Sequence, residues 1–180
     1  MIDSIVFDLD GTLIDSLPDV FASLNKMLTE EKRRPLRVKE LRNLVGRGVN
    51  PMVEGAYSIT GKTIASPAEL EDAVHRYIGH YKASPVEHTV VFPNVINTLR
   101  KLKEDGFRMG ICTNKPYDMT LLVLEGLGMQ VFFDGVTGGD NLTFNKPDPR
   151  HIVATLDLMK SEASRAVMVG DSRVDAEAGR

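Results

Sequence analysis

Two aspartates, Asp8 and Asp10, directly follow a short apolar run at residues 5–7. Successive side chains alternate along a β-strand, so both carboxylates are expected on the same side of the strand end. Two acids held this close together repel each other unless a cation or a proton compensates them. The pattern therefore favours a strand that ends at a site where one acid binds a metal and acts as a nucleophile while the other carries a proton. The structural alternative is a strand that runs into an Asp-rich turn.

Length and composition are those of a globular chain. The 180 residues suffice for one core with a smaller insertion, and the hydrophobic content of 42% is ordinary. The net charge of −3 argues against nucleic-acid partners. No apolar stretch approaches the ~20 residues needed to span a membrane, and the acidic start does not resemble a signal peptide. A single cysteine, Cys112, cannot form an internal disulfide, so we expect a cytoplasmic protein. We further expect a monomer or homodimer without membrane or nucleic-acid partners.

Strand-like and helix-like segments alternate, except in one long helical block. Strands are predicted at residues 5–7, 107–112, 132–136 and 166–169, with helices between them. Strands separated by helices predict an α/β fold, a Rossmann-like three-layer core with a parallel sheet covered on both faces. Residues 15–88 contain helical patterns only, which predicts an inserted all-helical domain. The predicted division is a core at 1–14 and 89–180 and an insertion at 15–88.

Polar residues follow the predicted strands, where ligands bind in parallel sheets. Thr113 and Asn114 follow the second strand and can offer donors to an anion. Lys146 lies further along, and Asp171 and Asp175 follow the last strand. Each also has a structural alternative when taken singly: Thr113 and Asn114 are typical of a loop, and Lys146 is typical of a surface lysine. Asp171 is typical of a helix N-cap. Their joint occurrence at strand ends predicts a single charged site.

The combined motifs resemble those of the haloacid dehalogenase-like hydrolase superfamily, in its phosphatase branch with a helical cap. The four motifs are DLDGTL at 8–13, TN at 113–114, KP at 146–147 and GDSRVD at 170–175. The resemblance covers essentially the whole chain. Within the branch, TNKP at 113–116, TGGD at 137–140, NKPDP at 145–149 and GDSR at 170–173 look like phosphoglycolate phosphatases. Neighbouring sugar-phosphate and pyrophosphate hydrolases share most of these motifs.

The resemblance implies a Mg²⁺-dependent hydrolase of a small-molecule phosphate ester, most like 2-phosphoglycolate, with an aspartyl-phosphate intermediate. Asp8 would be the nucleophile, and Asp10 would protonate the leaving alkoxide and later activate water. An acid at position 10 favours phosphoryl transfer over carbon–halogen cleavage. Mg²⁺ would be held by Asp8, the Asp10 backbone carbonyl and Asp171, with Asp175 in support.

The same resemblance implies that Thr113, Asn114 and backbone N–H groups near Leu9 hold the phosphoryl oxygens. An anionic nucleophile that approaches a charged phosphate ester needs cations beside it, because two unit charges 4 Å apart repel by about 4 kcal/mol at an effective dielectric near 20. Lys146 and Mg²⁺ supply three positive charges, which balance three ionised acids if Asp10 is protonated. Arg47, between two glycines of the insertion, is a candidate partner for a substrate carboxylate. The alternative is that Arg47 is a solvated arginine in a turn, without a role in binding.

Several other functions remain open from the residues alone. A phosphosugar mutase uses the same core, and a receiver-like module also forms an aspartyl-phosphate with Mg²⁺ and a lysine. An inactive binding protein is a further alternative. The chain ends at Arg180, just inside the helix after Asp175, so the strand at 166–169 is expected at an edge of the sheet.

Overall fold

A computed structural model describes residues 1–180, and its main sheet is parallel. The strands, in chain order, are β1 (Ser4–Phe7), β2 (Ile14–Asp15), β3 (Val90–Val91), β4 (Arg108–Cys112), β5 (Gly135–Thr137) and β6 (Ala166–Val169). Four of them form the main sheet in the order β5-β4-β1-β6. Ser4 of the central strand lies opposite Arg108 on one side and Ala166 on the other. The predicted α/β class with a parallel sheet is confirmed.

Eight helices accompany the strands. They are α1 (Leu17–Glu30), α2 (Val38–Arg42), α3 (Val49–Thr60), α4 (Pro67–Ala83), α5 (Val95–Glu104), α6 (Tyr117–Gly126), α7 (Pro149–Met159) and α8 (Arg173–Ala178). The first four lie between β2 and β3, in the segment predicted to be all-helical. None of the helices combines the length and the apolar character needed to cross a bilayer.

The main sheet is covered on both faces, which explains why its strands are apolar runs. Ile5 and Phe7 of β1 share a large core cluster with residues of α5 and α6. Val6, between them in sequence, belongs to a second cluster with Cys112 and residues of α7 and α8. The alternation of side chains along β1 therefore divides its residues between two helical layers.

The helical insertion, defined here as α1–α4, shares the larger cluster with the core. Helix α1 packs against α4, and their buried residues include Leu24, Met27, Tyr77 and Tyr81. The chain enters and leaves the insertion through β2 and β3, which pair antiparallel. Sequence patterns did not predict this two-residue ribbon because it is too short to show a periodicity. The exact domain boundaries remain a prediction.

The ribbon is fixed by a buried carboxylate at the start of α1. Asp19 accepts hydrogen bonds from the His88 N–H at 2.9 Å and from the Thr89 N–H and hydroxyl at 2.7 and 2.6 Å. Asp19 and Thr89 are both buried. The segments that enter and leave the insertion are thereby joined by side-chain as well as backbone hydrogen bonds.

Two other sequence predictions concern the strands at the sheet edges. The strand predicted at 132–136 starts only at Gly135, because residues Gln130–Phe132 form a 3₁₀ turn instead. Phe133 lies outside the strand, with its ring edge-on to Phe7. At the opposite side β6 pairs with β1, and its Val167 and Val169 are each 40% exposed.

Candidate active site

A cavity of about 480 Å³ lies where the carboxyl ends of β1, β4 and β6 meet the helical insertion. Parallel sheets bind ligands at this edge because the loops there carry polar groups free of the ladder. The sequence-predicted residues that line the cavity are Asp8, Asp10, Thr113, Asn114, Lys146 and Asp171. Asp175 lies beneath them, 2% exposed. Residues far apart in sequence are thus brought to one place.

Lys146 joins two of the predicted acids and is not a surface lysine. Its ammonium nitrogen lies 2.8 Å from Asp8 Oδ1 and 2.6 Å from Asp175 Oδ1, and the residue is only 3% exposed. Burial lowers the pKa of Lys146, but the charges of Asp8 and Asp175 outweigh burial and raise it overall. Burial raises the pKa of Asp8 to about 6, against the opposing effect of Lys146. The lysine therefore remains a cation in the site.

Three carboxylates form a possible metal site. One oxygen from each of Asp8, Asp171 and Asp175 lies within 4.8 Å of the other two. Gly11 permits this approach, since its φ is +90° and a Cβ there would lie 2.6 Å from Asp171 Oδ2. The Thr12 hydroxyl donates to Asp171 Oδ1 at 3.2 Å. An all-oxygen carboxylate set is the kind that Mg²⁺ prefers, so these residues fit the cation implied by the sequence motifs.

Asp175 also has a structural role, as the third residue of α8. It accepts hydrogen bonds at Oδ2 from the Ser172 N–H, at 3.0 Å, and from the Ser172 hydroxyl. Its other oxygen faces Lys146. This capping arrangement holds Asp175 in a single orientation and satisfies a donor at the helix start.

Asp10 is held by a lysine that the sequence analysis did not single out. Lys115 Nζ lies 3.2 and 3.3 Å from the two carboxylate oxygens of Asp10, and the Ser16 hydroxyl donates to Oδ1. The ammonium lies 4.6 Å from the ring centroid of Tyr81, on α4 of the insertion. Burial lowers the pKa of Lys115, but Asp10, Tyr81 and Tyr77 together outweigh burial and raise it overall. The available signal was the position of Lys115, two residues after Thr113.

Lys115 changes the sequence-based charge count. Four carboxylates face two ammonium groups, and the six residues are Asp8, Asp10, Asp171, Asp175, Lys115 and Lys146. The sequence-based count needed a protonated Asp10 and left out Lys115, whose ammonium lies 3.2 Å from Asp10 Oδ1. With all four acids ionised, two negative charges remain, and one divalent cation would compensate them.

The side-chain amide of Asn114 forms hydrogen bonds with two other segments of the site. Its Nδ2 donates to the carbonyls of Lys146 at 2.9 Å and Gly46 at 3.2 Å, and its Oδ1 accepts from the Lys146 N–H at 3.0 Å. Both amide hydrogens are therefore used within the chain. This differs from the predicted grip of the amide on phosphoryl oxygens. It links the core loop at Lys146 to the turn that follows α2.

Backbone donors at the same edge are free. The N–H groups of Leu9, Asp10 and Asn114 donate to no acceptor within the chain. The Thr113 hydroxyl accepts from the Lys115 N–H at 3.2 Å, and its own proton stays available. Unpaired N–H groups in such a turn can bind an anion. The backbone donors expected near Leu9 are therefore present.

The insertion supplies the opposite wall of the cavity. Its lining residues include Arg42, Val45, Val49, Met52 and Tyr77. The structure does not bring Arg47 to the cavity: its glycine neighbours line the wall, but Arg47 itself does not. The physical reason is that the turn presents backbone to the core, with the Gly46 carbonyl bonded to Asn114.

Known proteins resemble this chain over nearly its whole length. Residues 5–180 match the family described as haloacid dehalogenase-like hydrolase. A phosphoglycolate phosphatase from Cereibacter sphaeroides is 38% identical over 174 residues, which cover 96% of this chain and 78% of that protein. One from Caulobacter vibrioides is 37% identical, covering 98% and 74%.

The fold comparison agrees with the sequence comparison. The crystal structure of a predicted phosphoglycolate phosphatase from Haemophilus somnus superposes with a TM-score of 0.92 at 26% identity. The match covers 99% of this chain and 80% of that one. By sequence and by fold, the chain belongs to the haloacid dehalogenase-like hydrolase family.

Proposed function

We propose that this protein is a Mg²⁺-dependent phosphatase that hydrolyses 2-phosphoglycolate to glycolate and phosphate. The observation that carries the proposal is the buried bridge of Lys146 to Asp8 and Asp175, beside a second acid, Asp10. The names of the relatives support the substrate, and the cavity with free backbone donors supports a phosphate ester.

The phosphoryl group would bind at the sheet edge through neutral donors and one cation. The N–H groups of Leu9, Asp10 and Asn114 and the Thr113 hydroxyl have no other acceptor. Lys146 adds a positive charge beside Asp8. Positioning and electrostatics are most of what phosphoryl transfer requires, so these groups would hold the phosphorus atom in front of the Asp8 carboxylate.

Asp8 would then attack phosphorus with a carboxylate oxygen. A new bond to phosphorus forms as the bond to the glycolate oxygen breaks, and an aspartyl-phosphate results. Lys146 keeps Asp8 oriented and lowers the cost of its negative charge. Mg²⁺, held by Asp8, Asp171 and Asp175, would supply charge that offsets the repulsion between nucleophile and phosphoryl group.

Asp10 would move protons in both halves of the reaction. It takes up a proton from solvent as the anionic ester binds, gives that proton to the departing glycolate oxygen, and later takes one from the water that attacks phosphorus, which restores Asp8. Lys115 and Ser16 fix the carboxylate in place for both steps. Once its proton has passed to glycolate, Asp10 is a carboxylate, which is the form that takes a proton from water.

The test is phosphate release from a panel of esters with Mg²⁺ and with chelator. The panel contains 2-phosphoglycolate, ethyl phosphate, glucose 6-phosphate, glucose 1-phosphate and pyrophosphate. We expect the highest kcat/KM with 2-phosphoglycolate, and loss of activity with chelator. Preference for a hexose phosphate would overturn the substrate, and full activity without a divalent cation would overturn the Mg²⁺ requirement.

The nucleophile is tested by Asp8→Asn, with Asp105→Asn as the matched control. Asp105 is an exposed acid whose side chain contacts only Lys101. We expect a fall of at least ~10³-fold in kcat for Asp8→Asn, because the amide cannot form an acyl-phosphate. Asp105→Asn is expected to leave phosphate release unchanged. Wild-type turnover by Asp8→Asn would exclude Asp8 as the nucleophile.

A further inference from the structure

One cation of the cavity has no partner within the chain. Lys146 and Lys115 line the cavity, and each is paired with an aspartate of the core. Arg42, the last residue of α2, is an exposed residue that also lines the cavity, and it makes neither a side-chain hydrogen bond nor a salt bridge. Its charge is therefore available to a ligand.

Beside Arg42, the insertion lines the cavity with three apolar side chains and with the phenol of Tyr77. Val45, Val49 and Met52 of the insertion line the same cavity and offer no side-chain donor. A carboxylate that leaves water against this wall loses its hydration and needs a charged partner. A guanidinium can supply two parallel N–H donors to the two oxygens of a carboxylate.

The wall that carries Arg42 is docked onto the proposed phosphoryl site. Gly46, four residues after Arg42, accepts the hydrogen bond of Asn114, whose amide also holds the Lys146 backbone. A small ligand can therefore lie between the core donors and the insertion. In 2-phosphoglycolate, one methylene group separates the phosphate ester oxygen from the carboxylate, so the molecule carries an anion at each end.

We propose that Arg42 is a specificity-determining residue that binds the carboxylate of the substrate, while the core binds its phosphoryl group. The inference rests on the proposed function and narrows the substrate class to phosphate esters of short hydroxy acids. Arg42 takes the role that the sequence assigned to Arg47, which lies in the turn after α2 and off the cavity.

Turnover of two matched esters tests the inference. 2-Phosphoglycolate and ethyl phosphate have the same short ester and differ in the carboxylate. We expect Arg42→Gln to lower kcat/KM for 2-phosphoglycolate by on the order of 10- to 100-fold, mainly through KM, the range of a lost charged hydrogen bond. The rate with ethyl phosphate should change less than threefold. Arg42→Lys should restore part of the loss, since it keeps the charge but not the fork.

Lys39→Gln and Arg47→Gln are the comparison variants. Lys39 is an exposed cation of the same helix that does not line the cavity, and its substitution should leave both rates unchanged. Loss of the carboxylate preference in Arg47→Gln, with Arg42→Gln at wild-type level, would overturn the assignment while the phosphatase function stands.

A binding measurement separates failure of the inference from failure of the proposed function. Calorimetry would compare 3-phosphonopropionate, a non-hydrolysable analogue of 2-phosphoglycolate, with propylphosphonate on Mg²⁺-loaded protein. We expect the wild type to prefer the carboxylate analogue at least tenfold and Arg42→Gln to lose that preference. An unchanged preference in Arg42→Gln overturns the inference. Lost preference in a protein that does not hydrolyse 2-phosphoglycolate would support the carboxylate site and overturn only the proposed reaction.

Discussion

Lys115 contacts both carboxylate oxygens of Asp10, at 3.2 and 3.3 Å from its ammonium nitrogen. The lysine belongs to the core loop after β4, but Tyr81 of the insertion covers it. The two tyrosines Tyr77 and Tyr81 are themselves fully buried. The orientation of the proposed acid–base residue therefore depends on packing between core and insertion.

The Lys115–Asp10 pair should show strong coupling in a double-mutant cycle. Lys115→Met leaves the Asp10 carboxylate without its partner, and we expect a loss of about 2–4 kcal/mol of unfolding free energy. The side chain of Asp10 is 19% exposed, so some solvation remains. Urea unfolding without Mg²⁺ would measure Lys115→Met, Asp10→Asn and the double variant. Adding Asp10→Asn to Lys115→Met should recover at least ~1 kcal/mol; purely additive losses would contradict the coupling.

Removing one of the three clustered acids should weaken the binding of the cation. Asp171 is exposed, and its carboxylate forms a hydrogen bond only with Thr12, so Asp171→Asn should leave the fold intact. We expect at least ~10-fold more Mg²⁺ to be needed for half-maximal activity, because a neutral amide replaces a charged ligand. The measurement is a Mg²⁺ titration of phosphate release, with circular dichroism as the folding control. An unchanged titration would remove Asp171 from the metal site.

Asp19 should contribute to stability at the base of the insertion. Asp19→Ala removes the acceptor of the His88 N–H and of both Thr89 donors. Buried donors without an acceptor are costly, and we expect a loss of about 2–4 kcal/mol. Asp118→Ala is the control, since its contact with Lys82 is exposed and its loss should cost under ~0.5 kcal/mol. Equal unfolding midpoints for the two variants would refute this role.

His151 should make the folded state less stable at acidic pH. Burial lowers its pKa to about 4, and the charge of Lys146 acts in the same direction. An unfolded histidine has a pKa near ~6.5, so between these values the unfolded chain binds more protons and stability falls as pH falls. From pH 7.5 to pH 5 the loss from this residue is roughly 2 kcal/mol.

The measurement is urea unfolding of wild type and His151→Gln at both pH values. Glutamine does not titrate, and its side-chain oxygen can replace Nδ1 as the acceptor of the Lys146 N–H. The wild type should lose more stability than the variant by about that amount. Parallel pH dependence in the two proteins would show that His151 does not titrate as described.

Much of the fold could be predicted from local sequence patterns. The apolar run before Asp8 and the runs around Met109 and Val167 are β-strands, and the helices between them have the predicted order. The strand predicted at 132–136 was partly wrong. Phe133 lies outside the strand, and its apolar ring packs against Phe7 instead of marking a strand position. Apolar residues in a short run do not distinguish these cases.

The residues of the candidate site could be predicted where they belong to a sequence motif. Their contact partners from distant parts of the chain were harder to predict. Lys115 lies inside the TNKP motif at 113–116, but the motif does not show which group its ammonium meets, and Arg42 belongs to no motif that distinguishes it from a solvated cation. Their roles follow from neighbours that approach only in the folded chain: Asp10 across 105 positions for Lys115, and the cavity wall for Arg42. Arg47 was the sequence candidate because it lies between two glycines, but side-chain direction in a turn is set by backbone contacts such as that of Gly46.

The sequence alone determined the strand and helix types and the acids at the strand ends, since side-chain periodicity and short motifs are local properties. Only the tertiary structure decided which charges neutralise each other and which cation stays free. Those outcomes depend on distances of a few ångströms between groups 29 to 138 positions apart, such as Lys146 with Asp175 and with Asp8. Electrostatic energy falls with distance in space and is independent of separation along the chain.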